Sequence, residues 1–145
     1  MRIFKQLFSK TEKCKYIEYS YGDSSVPPEY HRSFVVHITK EKITIKVDSY
    51  GDIINDKSFK LSDKDFKDIL RAVNKINFKV KFPPLTGCTG GVTRKLILQG
   101  EGELKCIDVY YCGNKPEKSR TKELDEAAEV IVSKIPNFQS ILKRT

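Results

Sequence analysis

The strongest constraint on this chain is an apolar–polar alternation of period two that recurs in short stretches, each ended by turn residues. Ile43-Thr44-Ile45-Lys46-Val47-Asp48 is the clearest case. It predicts a half-buried strand with Ile43, Ile45 and Val47 towards a core and Thr44, Lys46 and Asp48 away from it. Residues 33–39 read as the strand before it, joined through the short polar turn Lys40-Glu41. Tyr16, Ile17, Tyr19 and Tyr21 favour an earlier strand over 14–21. Phe78-Lys79-Val80-Lys81-Phe82 alternates again before Pro83-Pro84, and 92–99 with 103–111 predict a second hairpin around Gly100-Glu101-Gly102.

Two stretches change period. Ser62 reads as a helix N-cap with Asp65 at the third helical position, and Leu61 can staple onto Phe66. Phe66, Ile69, Leu70, Val73 and Ile76 then mark one helical face. Thr121 is the expected cap of a second helix, with Leu124, Ala127, Ala128, Ile131 and Ile135 on its buried side. Pro136 interrupts it, and Phe138, Ile141 and Leu142 can add a last turn. Strands, helix, strands, helix, with hairpins dominating, predict an α+β fold. The expectation is a largely antiparallel sheet of five to six strands with two main helices packed on one face. The other face is then solvated, covered by the N-terminal segment, or used for binding.

At 145 residues the chain is long enough for a core without staples, and no run approaches the ~18 apolar residues of a membrane span. Residues 1–12 read as a basic amphipathic segment and 13–145 as one α+β domain. Ile3, Phe4, Leu7 and Phe8 fall at helical spacing beside Arg2, Lys5 and Lys10. Packing of this stripe on the domain's own core or on a second subunit is expected. Contact of residues 1–10 with a membrane surface is not favoured, because two or three turns bind a bilayer weakly. The segment lacks the apolar core of a secretory signal, so a cytoplasmic location is expected.

The net charge is +8, from 27 Lys and Arg against 19 Asp and Glu. Residues 75–95 hold Lys75, Lys79, Lys81, Arg94 and Lys95 with no acid among them. Such a patch would suit a polyanion or nucleic acid, although a lysine-rich surface also serves solubility alone. Tyrosines beside lysines invite comparison with RNA-binding sheets, but their aromatic motif is absent.

The glycine loop Gly87-Cys88-Thr89-Gly90-Gly91, followed by Arg94 and Lys95, is the candidate ligand or anion site. Its glycines allow consecutive amides to converge on an anion, or simply shape the entry to a hairpin. It matches neither the GxxxxGK[ST] nor the GxGxxG pattern. Cys88 would act as a nucleophile only with His31 or His37 beside it. Cys14, Cys88, Cys106 and Cys112 have no zinc-ligand spacing, and a bond from Cys14 to a strand cysteine requires neighbouring strands. Asp48, Asp52 and Asp56 around Tyr50-Gly51 read as a solvated turn rather than a cation loop.

These readings lead to a non-enzymatic binding or protein-interaction domain with no cofactor. The partner expected is another protein or a second copy. A polyanion binder and a Cys88-centred enzyme are the rivals.

Overall fold

The computed structural model describes residues 13–23, 27, 29–82, 90–111 and 118–143. Six strands, β1 (Cys14–Asp23), β2 (Ser33–Ile38), β3 (Lys42–Ser49), β4 (Asp52–Lys60), β5 (Val92–Gly100) and β6 (Leu104–Tyr111), form one sheet in the order β4-β3-β2-β1-β5-β6. Every neighbouring pair is antiparallel. The α+β expectation holds, with the helices α1 (Asp63–Asn74) and α2 (Lys118–Ser133) on one face.

Alternation decides which side chains meet those helices. Ile17, Tyr19, Phe34, Val36, Ile38, Ile43, Ile45, Val47, Leu96, Leu98, Ile107 and Val109 are all buried. They meet Phe66, Ile69, Leu70 and Val73 of α1 and Leu124, Ala127, Ala128 and Ile131 of α2 in one cluster. The Ser62 hydroxyl accepts from the Asp65 amide at 3.1 Å, satisfying one of the free amides at the start of α1. Leu61 and Phe66 are both buried, as a staple requires. Lys134 bridges the two helices, 3.1 Å from Asp65 and 3.0 Å from Asp68.

The C-terminal turn α3 (Phe138–Ile141) is clamped onto the sheet. Phe138 meets Phe34 edge to face at 5.3 Å. Terminal carbonyls that a helix leaves unpaired are taken by side chains: Arg32 Nε donates to Leu142 O at 2.7 Å, and Asn55 Nδ2 to Ile141 O at 2.6 Å. Asn137, at φ 55°, turns the chain between α2 and α3.

Two local expectations are corrected, and one strand, β4, is additional to those expected. Strand β4 was not legible as a strand, because Ile53-Ile54-Asn55-Asp56-Lys57-Ser58 does not alternate. It is an edge strand with a bulge opposite Val47 and Asp48, and edges tolerate polar residues on both sides. Tyr50 and Gly51, both at positive φ between the paired Ser49 and Asp52, make the tight two-residue turn that joins it to β3. Residues 78–82 are not a strand. Asn77 Oδ1 accepts from the Lys79 amide and Asn77 O from the Val80 amide, so a local turn claims the backbone instead. Phe78 and Phe82 still pack against the core. Thr121 lies inside α2 rather than capping it, and its hydroxyl reaches Asp125 one turn on at 3.1 Å.

Candidate functional site

The helix-free face is built from the other half of each alternation. The register lines up Ser58, Thr44, His37, Glu18, Ile97 and Cys106 in one row across all six strands. The next row is Asp56, Lys46, Val35, Ser20, Lys95 and Asp108. Lys46 thus faces Asp56, and Lys95 faces Asp108. His37 Nδ1 lies 3.1 Å from Glu18 Oε2, and its ring centroid is 4.9 Å from that of Tyr16. Thr44 and Ser58 share a hydrogen bond at 2.9 Å, and Ser33 donates to Asp48 at 2.6 Å. Large apolar groups remain uncovered: Val35 is 38% exposed and Leu104 59%.

The rows also test the catalytic reading. They bring an imidazole and a carboxylate together, but Cys106 sits two strand spacings from Glu18, about 10 Å. Burial raises the Cys106 thiol pKa; Lys95 and Lys81 oppose that rise and Asp108 adds to it. Burial pushes Cys14 up to about 11. Both are free thiols on opposite faces of the sheet, and both are held towards the unreactive protonated form. His31 is buried and engaged elsewhere. It stacks on Tyr50 with centroids 3.7 Å apart, and its Nδ1 accepts from the Tyr50 amide at 3.2 Å. Tyr50 itself sits at an unusual φ of 46° and remains half exposed. Cys88 and Cys112 lie outside the described residues.

Of the glycine-loop candidates, Gly87, Cys88 and Thr89 lie outside the described residues. Gly90 and Gly91 are placed against the end of β6. Tyr110 Oη donates to Gly90 O, and a Cβ on Gly91 would stand 2.6 Å from Tyr111 O. Gly91 at φ 119° is therefore required by close backbone approach. Arg94 points to the helix side, where its Nη1 meets Asp125 at 2.5 Å and its Nε donates to Tyr19 Oη at 3.0 Å. Burial pulls the Arg94 guanidinium pKa down, but Tyr19 and Asp125 outweigh that and hold it above its ordinary value. Burial likewise raises Tyr19, with Arg94 opposing. This arrangement anchors β5 to α2 and commits the guanidinium internally.

The clustered cations do not share one surface: Arg94 is turned inward. Lys95 lies on the helix-free face opposite Ser20 and Asp108. Lys75 ends α1, its amide donating to Ala72 O, and lines a shallow groove between the helices with Lys134. Lys79 follows the Asn77 turn, and the Lys81 carbonyl accepts from Arg120 at 2.8 Å. No group of three or more His, Cys, Asp or Glu among the described residues has metal-binding geometry, Asp48, Asp52 and Asp56 included. No helix among them is long and apolar enough to cross a membrane.

The sequence patterns did not disclose the His37–Glu18–Tyr16 cluster, since it needs the β1–β2 register. Nor did they disclose the Tyr50 turn, although a Tyr-Gly pair at that spacing was its signal. Comparison with protein-family models and with curated proteins finds no match for this chain.

Proposed function

We propose that this chain is a non-enzymatic binding domain that receives another protein on its helix-free sheet face. The observation that carries this reading is the exposure of Val35 and Leu104 on a face where Lys46 stands opposite Asp56 and Lys95 opposite Asp108, with the like pair Lys42 and Lys60 towards one end of the β3–β4 edge. Five strand spacings by eight residues give roughly 24 by 26 Å, near the ~800 Å² per partner of an ordinary protein interface. The mixed charges of the two central rows suit a protein surface with its own mixed charges better than a uniform phosphate backbone.

The polyanion reading draws on Lys81 and Lys95, which both act on the Cys106 thiol. Lys75 and Arg94 sit in the helical layer instead, which weighs against one continuous patch.

A photo-cross-linking residue at position 35, compared with one at the exposed Glu129 of α2, tests the proposal. Discrete protein adducts from position 35 that vanish with Leu104→Arg, and none from 129, are expected. Equal labelling from both positions removes the reading. Binding of a generic polyanion that collapses between ~50 and ~200 mM salt transfers support to the rival.

A further inference from the structure

One end of the sheet carries, on the helix side, Cys14 of β1, Gly100 of β5 and Glu103 just before β6, with the Gly100 amide donating to Glu103 O at 2.8 Å. The middle member has no side chain, and a cleft of about 270 Å³ opens there. Leu98, with Lys105 opposite it, and Leu70 and Asn74 of α1 complete the lining. Cys14, Leu70 and Leu98 are buried and make an apolar floor. Lys13, Asn74, Glu103 and Lys105 make an exposed polar rim. The volume lies just below the ~300–1,000 Å³ usual for ligand sites, which suits a small molecule.

The charges around the cleft nearly cancel. Lys13 and Lys105 are cationic, Glu103 is anionic, and the C-terminal end of α1 adds a partial negative charge beside Asn74. Glu101 adjoins, its amide donating to Lys13 O at 3.1 Å. Burial keeps the Cys14 thiol protonated, so it adds no charge. Neither a simple anion nor a simple cation is favoured by that balance, yet both signs stand over an apolar floor. Lys105 holds Glu103 loosely, with Nζ 3.9 Å from Oε1 and beyond hydrogen-bond reach, so the carboxylate is open to a better donor. Lys13 stands on the other side of β5, two strand spacings or about 10 Å from Glu103 at the backbone. Long side chains can close that gap around one small zwitterion.

We propose that this cleft binds a free apolar α-amino acid such as leucine. Its carboxylate pairs with Lys13, its ammonium group with Glu103, and its side chain rests on Cys14, Leu70 and Leu98. The site lies away from the helix-free face and stands independently of the reading proposed for that face.

The full chain is titrated with L-leucine, with isocaproate, which lacks the ammonium group, and with isopentylamine, which lacks the carboxylate. The methyl resonances of Leu70 and Leu98 are followed by NMR. Saturable shifts with a midpoint of order millimolar are expected for leucine, and at least about tenfold weaker binding for either analogue. Lys13→Met and Glu103→Gln should each weaken leucine binding about tenfold, whereas Lys105→Met, which frees Glu103, should not weaken it. All three side chains are exposed at the rim, so these variants keep the fold. The absence of saturable shifts overturns the proposal, as does equal binding of leucine and either analogue. Leucine binding that survives both Lys13→Met and Glu103→Gln undiminished overturns it too, and so does a loss at Lys105→Met as large as that at Lys13→Met.

Discussion

The two faces of this sheet are made from alternate residues of the same strands, and they follow different rules. Val36 and Val35 are neighbours in β2, yet Val36 has no exposure and Val35 is 38% exposed. Arg94 and Lys95 are neighbours in β5. One is enclosed by Tyr19 and Asp125, and the other stands on the helix-free face opposite Asp108. On the helix side apolar groups interlock and Arg94 is fully committed. On the other side charges meet across strands and apolar groups are left uncovered. Side-chain identity therefore says little about role in this sheet, whereas parity along the strand says a great deal.

The sharpest break in that comparison is the valine pair. Val36→Ala should cost about 2–4 kcal/mol in urea unfolding, through lost burial and the cavity left behind. Val35→Ala should cost under about 1 kcal/mol. Similar losses at both positions would mean that the helix-free face is itself packed.

The ion pair comes next. Asp125→Ala leaves Arg94 without its carboxylate, while the guanidinium side chain is only 14% exposed. Because the Asp125 side chain is 41% exposed, the penalty for breaking a fully buried pair is discounted to about 1–2 kcal/mol. Arg94→Met should cost less than Asp125→Ala, since it removes the buried charge instead of stranding it. Lys95→Met should leave stability unchanged. The reverse order for the Arg94 and Asp125 variants would show that Arg94 is solvated.

The smallest effect lies at the helix–helix bridge. The hydrogen bond from Lys134 holds Asp68 below the ordinary carboxylate range, and Asp68 and Asp65 raise Lys134 above its own. Asp68's contribution is present above the ordinary carboxylate pKa and is lost as pH falls through the lowered folded value. Lys134's contribution is present below the ordinary lysine pKa and is lost as pH rises through the raised folded value. Lys134→Met should therefore lower stability slightly at neutral pH and not at all well into acid. Denaturant titrations at the two pH values check this. A difference that persists in acid would assign Lys134 a packing role.

Much of the fold was legible because local signals agreed with one another. The Ser62 cap, the Leu61–Phe66 staple and the face of α1 lie within fifteen residues, and the structure reproduces them. The hairpins were legible because alternation and turn residues coincide. Strand β4 was not, since an edge strand pairs on one side only and its composition need not alternate. Residues 78–82 misled for the opposite reason, as their alternation serves two aromatic rings that pack without joining the sheet. The fate of Arg94 was illegible as well. Beside Lys95 it read as one of a basic pair, and only the approach of α2 supplies Asp125.

The sequence by itself determined which residues alternate, where the main turns and the α1 cap fall, and that a sheet with one helix-covered face would result. Those features depend on interactions within a few residues, so the local code suffices. The tertiary structure alone decided the strand order β4-β3-β2-β1-β5-β6, the meeting of Glu18 with His37, and the enclosure of Arg94. Each of these depends on which distant segments become neighbours, and that is set by how the whole apolar surface is best buried rather than by any short stretch of chain.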